Sequence, residues 1–314
     1  MIHKFTFHLG CGLSALGLCL GLVLSSCGGG DGQAGDGRLF VVATTGMVGD
    51  MVQAIGGDEV DVKVLMGAGI DPHSYKPVMK DTTAMARAKI VFYSGLLLEG
   101  KMESNWQSHS SKSHAVASVL PEERLKGDEH HPDPHVWGDV ELWAMGIDGV
   151  VGAFVKHDPD GAEGYLARGE AYRERLAELH QWALERAKGV PESSRVMVTS
   201  HDAFEYFGAA YGFEVFGLLG ISTVGSHGAR DRAALGEIIK ARNVKMIFPE
   251  SSVNPTSIQS VAEDTGVAVS KIELFSDAMG VLGKMEEVNG ESYDLGTYEG
   301  MIKHNMNALV EGLK

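Results

Sequence analysis

The sequence predicts an α/β protein with two lobes, each a parallel sheet with flanking helices, joined by one long rigid helix. Three observations predict this class. Short β-branched runs alternate with segments of helical periodicity, which is typical of βα units around a parallel sheet. The alternation stops near residue 158 and starts again near residue 195. An uninterrupted amphipathic stretch of about 25 residues lies between the two series.

The first 26 residues are predicted to be a lipoprotein signal peptide and not part of the fold. One lysine, Lys4, precedes an apolar stretch over 9–24 that is too weakly flanked for a permanent membrane span. The stretch runs into LSSC at 24–27, which resembles a bacterial lipobox, so Cys27 is predicted to be diacylated and to become the mature N-terminus. The alternative is a plain signal peptide with an incidental cysteine. The glycine-rich segment 27–37 is then a flexible tether.

Charge and cysteine content narrow the function. The chain has 27 basic and 42 acidic residues and a formal net charge of −15, so nucleic acid is not expected as a partner because its phosphates would be repelled. Two of the three cysteines, Cys11 and Cys19, lie inside the signal peptide. The mature chain is therefore predicted to have no internal disulfide and no cysteine-based metal or redox site. We expect an extracytoplasmic protein held at a membrane through Cys27.

The first lobe is predicted over residues 38–157. Buried strands are expected at 39–43, 60–66, 90–95 and 114–118. A helix follows the first of these strands and is stopped by Gly56 and Gly57, and a second, apolar helix is expected over 143–154.

The linking helix is predicted over residues 158–190. Asp158 and Pro159 form a suitable N-cap and first-turn pair, and Gly189 and Pro191 follow the last turn. The apolar residues of this segment have helical spacing and form a single stripe: Tyr165, Tyr172, Leu176, Leu179 and Ala183. Such a helix is longer than one small domain needs.

The second lobe is predicted over residues 191–314. Its strands are expected at 195–200, 213–217, 245–249 and 267–271. Its helices are expected at 202–210, 232–241, 255–265 and 297–313. Because ligands of open parallel sheets bind at the carboxyl ends of the strands, the cleft between the two lobes is the natural binding site.

Two loops of the first lobe share a pattern in which Asp-Pro-His is followed, two residues after the histidine, by an aromatic residue. These loops present His73 and His135. The proline fixes its own φ and keeps the preceding aspartate extended, so each histidine is held on a stiff turn. The aspartate, the aromatic residue or both can orient the imidazole. One such loop is weak evidence for a metal site, but two in the same context favour a pair of ligands.

The second lobe offers two further candidates. His201 lies at the end of its first strand, and Asp277 lies in a loop after its last strand. Taken singly, His201 is a neighbour of a helix N-terminus and Asp277 is a solvated loop acid. Together with His73 and His135 they would complete a set of three imidazoles and one carboxylate. That set suits Zn²⁺ and suits Ca²⁺ or Mg²⁺ poorly.

Other polar residues are weaker candidates. Glu250 ends a strand of the second lobe and is predicted either to support the site or to be a helix N-terminal acid. His130 and His131 lie in an acidic loop before the second Asp-Pro-His, where they either pre-capture metal or are solvated loop residues. His227 and His304 have no partner pattern and are expected at the surface.

Taken in order, these segments resemble the cluster A-I solute-binding lipoproteins of zinc and manganese ABC importers. The similarity rests on the two Asp-Pro-His loops and on the segments at 199–207, 220–223, 249–253, 275–278 and 296–298. The resemblance implies one divalent metal ion, Zn²⁺ first and Mn²⁺ second with iron a weaker third, held by four ligands: His73, His135, His201 and Asp277. It also implies an ABC permease and its ATPase as partners.

The chain departs from both branches of that family. Zinc-specialised members often carry a long histidine-rich loop where this chain has only His130 and His131. Manganese-specialised members often have glutamate at the position of His201. The third imidazole therefore favours zinc, and the short loop leaves manganese open.

Three classes of function compete. The main hypothesis is a non-enzymatic carrier, anchored at Cys27, that binds one metal ion and delivers it to the permease. A surface metal-dependent adhesin of the same fold is the first alternative, and the sequence does not separate it from the carrier. A zinc-dependent hydrolase is the second. It is disfavoured because it needs an open coordination position and a general base, and the sequence contains neither HExxH nor a nucleophile elbow.

Overall fold

The computed structural model describes residues 37–102, 106, 108–128, 130–225 and 228–314. The predicted signal peptide, Cys27 and His227 lie outside these described residues. The described chain forms two α/β lobes joined by one long helix, as predicted. None of the helices in these ranges is both long enough and apolar enough to cross a membrane.

Four parallel strands form the sheet of the first lobe: β1 (Leu39–Ala43), β2 (Val60–Val64), β3 (Ile90–Tyr93) and β4 (Ser113–Ala115). Their order across the sheet is β2-β1-β3-β4. Strand β1 is central, because Val41 pairs with Val62 on one side and with Ile90 on the other. Its last three residues are completely buried, as expected for a strand covered on both faces.

The described helices of the first lobe are α1 (Gly46–Gly56), α2 (Met79–Arg87), α3 (Val140–Met145) and α4 (Ile147–His157). Helix α1 begins where the Thr45 side chain accepts a hydrogen bond from the Val48 backbone N–H, and it ends at Gly57, whose φ is +62°. Helix α2 was not predicted, because its apolar stripe is too thin to produce a periodic signal. The predicted single helix over 143–154 is wrong, since α3 and α4 are separate helices that meet at Gly146.

The linking helix, α5, runs over Ala162–Ala187 and has 26 residues, so it is about 39 Å long at 1.5 Å per residue. Asp158 and Pro159 precede it, and Pro159 begins a short 3₁₀ turn instead of the helix itself. The predicted apolar stripe is buried, with every member at most 5% exposed. Helix α5 packs against α1, α3 and α4 of the first lobe and against the C-terminal helix of the second, so one rigid element carries both lobes.

The second lobe contains two parallel strand pairs: β5 (Val196–His201) with β6 (Glu214–Leu219), and β7 (Met246–Ile247) with β8 (Ala268–Val269). The backbone N–H of Phe248 donates to the Val198 carbonyl at 2.9 Å and joins the two pairs into one layer. The predicted strand over 245–249 is shorter than expected because Pro249 has no N–H to continue the pairing. The described helices are α6 (Glu205–Tyr211), α7 (Ala229–Ala241), α8 (Thr256–Thr265) and α9 (Tyr298–Leu313).

An antiparallel hairpin precedes α9 and was not predicted. Its strands are β9 (Met285–Val288) and β10 (Glu291–Asp294). Asn289 and Gly290 form the turn between them with φ of +54° and +82°, the signs that a type I′ turn requires. The Asn-Gly dipeptide is the sequence signal that could have identified this hairpin.

Candidate metal centre

Four side chains meet between the lobes. His73 and His135 come from loops of the first lobe, His201 ends β5, and Asp277 comes from a loop of the second lobe. Each offers one ligand atom, and these atoms all lie within 4.8 Å of one another. His135, His201 and Asp277 are at most 1% exposed, and His73 is 7% exposed. These are the same four residues that the sequence analysis brought together.

His73 is held on its turn by Asp71. The Asp71 carboxylate accepts hydrogen bonds from the His73 backbone N–H at 2.9 Å and from the Ser74 hydroxyl at 2.7 Å. It also accepts one from the Thr223 hydroxyl of the second lobe, at 2.7 Å. Asp71 therefore fixes the backbone of the turn and ties the two lobes together. None of these three hydrogen bonds involves the imidazole ring of His73.

His135 is held through its ring. Asp133 Oδ1 accepts from the His135 backbone N–H at 3.0 Å and lies 2.7 Å from the ring Nδ1. Because a carboxylate oxygen only accepts, Nδ1 carries a proton, and Nε2 faces Asp277 Oδ1 at 3.2 Å. The Trp137 indole packs edge-on to the imidazole with centroids 5.3 Å apart, and its N–H donates to the Ser276 carbonyl of the second lobe at 2.9 Å.

His201 has an equivalent carboxylate partner in Glu250. Glu250 Oε1 accepts from the His201 backbone N–H at 2.8 Å, and its Oε2 is in short contact with the ring Nδ1. The ring Nε2 then lies 3.2 Å from Asp277 Oδ2. Glu250 is only 1% exposed, so of its two predicted roles the structure places it against a candidate ligand.

The loop that carries Asp277 is fixed by α9. Asn305 bonds both backbone groups of Phe275: its Oδ1 accepts from the N–H at 2.8 Å and its amide donates to the carbonyl at 2.7 Å. His304 stacks on the Phe275 ring with centroids 4.4 Å apart. Two residues of one helix therefore hold the backbone two positions before the carboxylate.

The prediction that His304 is a surface residue is wrong. His304 is 7% exposed, and its ring nitrogens contact the Glu286 carboxylate at 2.7 Å and the Glu273 carbonyl at 2.8 Å. Sequence reasoning missed His304 and Asn305 as supports of the site. Their position among the apolar residues of a predicted helix is the signal that could have identified them, since buried polar groups are normally there to make specific hydrogen bonds.

Several polar atoms at the centre of the group have no hydrogen-bond partner. Both carboxylate oxygens of Asp277 and the Nε2 of His201 are buried and form no hydrogen bond. The Nε2 atoms of His73 and His135 lie 3.3 Å apart, and both are within 4.8 Å of the ligand atoms of His201 and Asp277. Buried polar groups without partners are costly, and a cation bound among these atoms would satisfy all of them. The donor set therefore fits a metal ion.

The electrostatics also favour a cation. Burial lowers the pKa of His73 to about 4. Burial acts in the same direction on His135 and His201, but the adjoining carboxylates outweigh it and raise the pKa of His135 and, much further, that of His201. Burial opposes ionisation of Asp277, yet His201 and His135 hold its pKa well below the ordinary value. Buried carboxylates thus supply negative charge around the imidazoles, which a bound dication would balance.

Three imidazole nitrogens and one carboxylate oxygen can bind one Zn²⁺ in tetrahedral geometry. Catalytic zinc sites keep a fourth position for water, whereas sites filled by four protein ligands do not. The arrangement is therefore suited to holding an ion and not to activating a water molecule.

A cavity of about 740 Å³ opens beside the site. Of the four candidate ligands, only His73 lines it, together with His130, His131 and Asp202 and a largely apolar wall. His130 and His131 belong to an exposed turn in which Asp128 accepts hydrogen bonds from their backbone N–H groups at 2.8 and 2.9 Å. The structure thus places these two histidines on the cavity wall and outside the four-residue group.

Comparisons with known proteins agree with this architecture. The family model of the periplasmic zinc-uptake complex component A, ZnuA, matches residues 41–312. The manganese-binding lipoprotein MntA of Bacillus subtilis is 40% identical over 96% of this chain and 99% of its own length. The metal ABC transporter substrate-binding lipoprotein FimA of Streptococcus parasanguinis is 28% identical over 96% and 98%. The solved periplasmic zinc-binding protein TroA from Treponema pallidum matches with a TM-score of 0.83 and 36% identity, covering 88% of this chain and 99% of that chain.

Proposed function

The chain belongs to the ZnuA family of periplasmic zinc-uptake components, and from that membership we propose that it is the metal-binding lipoprotein of an ABC importer. It binds one divalent transition-metal ion between its lobes and delivers the ion to a permease that works with an ATPase. The observation that carries the proposal is the convergence of four buried ligand atoms, two from each lobe, within 4.8 Å. The family and the names of the relatives favour this carrier over a hydrolase or a surface adhesin.

Zn²⁺ is the proposed first cargo and Mn²⁺ the second. The names of the relatives include both metals. Three imidazoles with one carboxylate suit Zn²⁺, whereas Mn²⁺ is better suited by a larger share of oxygen ligands. Asp133 and Glu250, which bond the Nδ1 atoms of His135 and His201, raise the basicity of both rings as carboxylate partners do in zinc sites.

The position of the site between the lobes gives a route for binding and release. A bound ion ties loops of the first lobe to β5 and the Asp277 loop of the second, so separation of the lobes breaks the ligand set. His73 is the ligand beside the cavity. We infer that the ion enters and leaves on the His73 side.

Metal analysis of protein purified without chelator, followed by zinc and manganese competition in isothermal titration, tests the proposal. We expect one ion in the site and a preference for zinc. His201→Ala should lose high-affinity binding, whereas the matched variant His131→Ala, which removes an imidazole from the cavity wall, should keep it. Protein that binds neither metal would overturn the carrier, and a clear preference for manganese would overturn only the choice of cargo.

We also propose that Cys27 carries the lipid anchor, which makes the protein an extracytoplasmic, membrane-attached lipoprotein. A diacylated cysteine supplies the two chains that stable attachment usually needs. Cys27→Ser should therefore move the protein to the soluble fraction without changing its zinc affinity. Cell fractionation at high salt checks this, and a variant that still pellets with the membranes would contradict the anchor.

A further inference from the structure

A second pair of histidines lies in the first lobe, outside the four-residue site. His114 in β4 and His157 in the last turn of α4 place their Nε2 atoms 3.1 Å apart. The two rings are nearly perpendicular, at 80°, with centroids 5.2 Å apart. Both residues are partly buried, so solvent reaches the pair but the rings are not free to swing apart without cost.

The separation of these two nitrogen atoms is close to that required by zinc. Two ligands of a tetrahedral ion, each about 2.0–2.1 Å from the metal, lie about 3.3 Å from each other. In the site between the lobes, the Nε2 atoms of His73 and His135 are 3.3 Å apart. The His114–His157 pair therefore needs to open by only a few tenths of an ångström to accept the same ion.

The surroundings of the His114–His157 pair contain features that favour a bound cation and features that oppose it. Burial lowers the pKa of His114 to about 4 and also lowers that of His157, so both imidazoles are uncharged near neutral pH and binding does not have to discharge an imidazolium. His157 lies in the last turn of α4, where the helix dipole favours a cation. Lys156 and Lys89 oppose it, because their charges act on the pair and repel a dication. A zinc ion held here binds more weakly than one among the carboxylates of the first site.

We propose that His114 and His157 form a second, weaker Zn²⁺ site in which two imidazoles and water molecules complete the coordination. Without metal, the Nε2–H of one ring donates to the Nε2 of the other. On binding, that proton moves to the Nδ1 of its own ring, so both Nε2 lone pairs coordinate the ion. Zinc binding at this pair therefore leaves the total number of bound protons unchanged.

Isothermal titration with zinc chloride on chain that carries no polyhistidine tag tests the proposal. The wild-type protein should show a tight event and a separate weaker event, each with one zinc per chain. His157→Gln should lose the weaker event alone, because glutamine keeps a hydrogen-bonding group beside His114 but has no imidazole. His114→Gln is the second variant with the same expectation. His201→Ala should lose the tight event alone, so failure of this inference and failure of the proposed function are distinguishable.

The double variant His130→Ala/His131→Ala is the matched control, since it removes two exposed imidazoles from another loop of the same lobe and should keep both events. In NMR spectra, the weaker event should shift the backbone amides of 113–115 and 156–157. A single zinc event in the wild-type protein would overturn the proposal. A weaker event that survives in both glutamine variants, or that disappears in the control, would overturn it as well.

Discussion

The two Asp-Pro-His turns share a sequence pattern but hold their histidines in different ways. In the first turn, residues 71–75, the aspartate bonds backbone and hydroxyl groups, and Tyr75 donates to Asp81 at 2.6 Å instead of packing on the histidine. In the second turn, residues 133–137, the aspartate bonds the imidazole Nδ1 and the tryptophan packs against the ring. The shared pattern thus gives one histidine fixed by its backbone and one fixed by its ring.

The difference follows from where each turn lies. The second turn is buried between the lobes, with His135 completely buried and Asp133 2% exposed. The first turn borders the cavity, so His73 is more exposed and its aspartate reaches across to Thr223. A shared motif therefore produces a rigid inner ligand and an entry-side ligand, because the neighbours of the turn decide which atoms its aspartate can reach.

The largest expected effect on zinc affinity comes from replacing the histidine of either turn. His135→Ala should weaken zinc binding by more than about 100-fold, since losing only the outer partner of a ligand costs about 10–100-fold. His73→Ala should weaken binding less, because water from the cavity can occupy the fourth position. Competition with a zinc chelator measures both constants. Near-native affinity in His135→Ala would contradict the four-ligand assignment, and equal losses would contradict the distinction between the turns.

Among the aspartates of the two turns, replacing Asp133 should weaken zinc binding more than replacing Asp71. Asp133→Ala should weaken zinc binding by about 10–100-fold, because it removes the group that orients the His135 ring. Asp71→Ala leaves the His73 ring contacts in place and should act mainly on the dissociation rate, through loss of the bond to Thr223. Stopped-flow exchange into a chelator separates the two effects. Thr223→Val should reproduce the faster dissociation of Asp71→Ala, and an unchanged rate in that variant would contradict the role of the cross-lobe bond.

The pH dependence distinguishes the two histidines by the protons that they release. The raised pKa values of His135 and His201 favour the protonated, positively charged form of both rings, whereas the pKa of His73, lowered to about 4, keeps that ring neutral near pH 7. Zinc affinity should therefore rise with pH, because metal competes with protons on two rings. At pH 7, His135→Ala should reduce the number of protons released when zinc binds, and His73→Ala should leave that number unchanged.

Titration in buffers of different ionisation enthalpy measures this release. As the pH rises, the stability of the metal-free protein should fall, whereas the zinc affinity rises. A raised imidazole pKa stabilises the fold below the unfolded value of about 6.5, and that contribution is lost as the pH rises through the folded value. Equal proton release by the two variants would show that the turns do not differ electrostatically.

The smallest expected effect concerns the loop that both Trp137 and α9 hold. Asn305→Asp keeps the acceptor for the Phe275 N–H but removes the amide donor to its carbonyl, so it should weaken zinc binding by less than the loss of Asp133. His304→Ala should act similarly by removing the ring stacked on Phe275. His304→Gln, which can still bond the Glu273 carbonyl, should recover part of the affinity. Unchanged zinc dissociation rates in all three variants would exclude a positioning role.

Much of the fold was predictable because it depends on local patterns. Alternating β-branched and helical segments identified β1, β5 and α5 within a few residues, since a strand covered on both faces is a short continuous apolar run and a packed helix has an apolar period of 3.6. Helix α2 escaped prediction because it buries only Asp81 and Met85. The hairpin β9–β10 escaped because its strands are polar, although its Asn-Gly turn was visible in the sequence.

The sequence alone determined which residue types stand at strand ends and on proline-stiffened turns, and these are local properties of the chain. It therefore indicated four ligands from two lobes and the class of metal that three imidazoles and one carboxylate prefer. Only the tertiary structure decided that Glu250 bonds His201, that His304 and Asn305 hold the Asp277 loop, and that the two Asp-Pro-His turns differ. The contacts of Glu250, His304 and Asn305 join residues that are distant in sequence within the second lobe, so they form only when that lobe folds. The two turns differ through contacts with the other lobe, which form only after α5 has brought the lobes together.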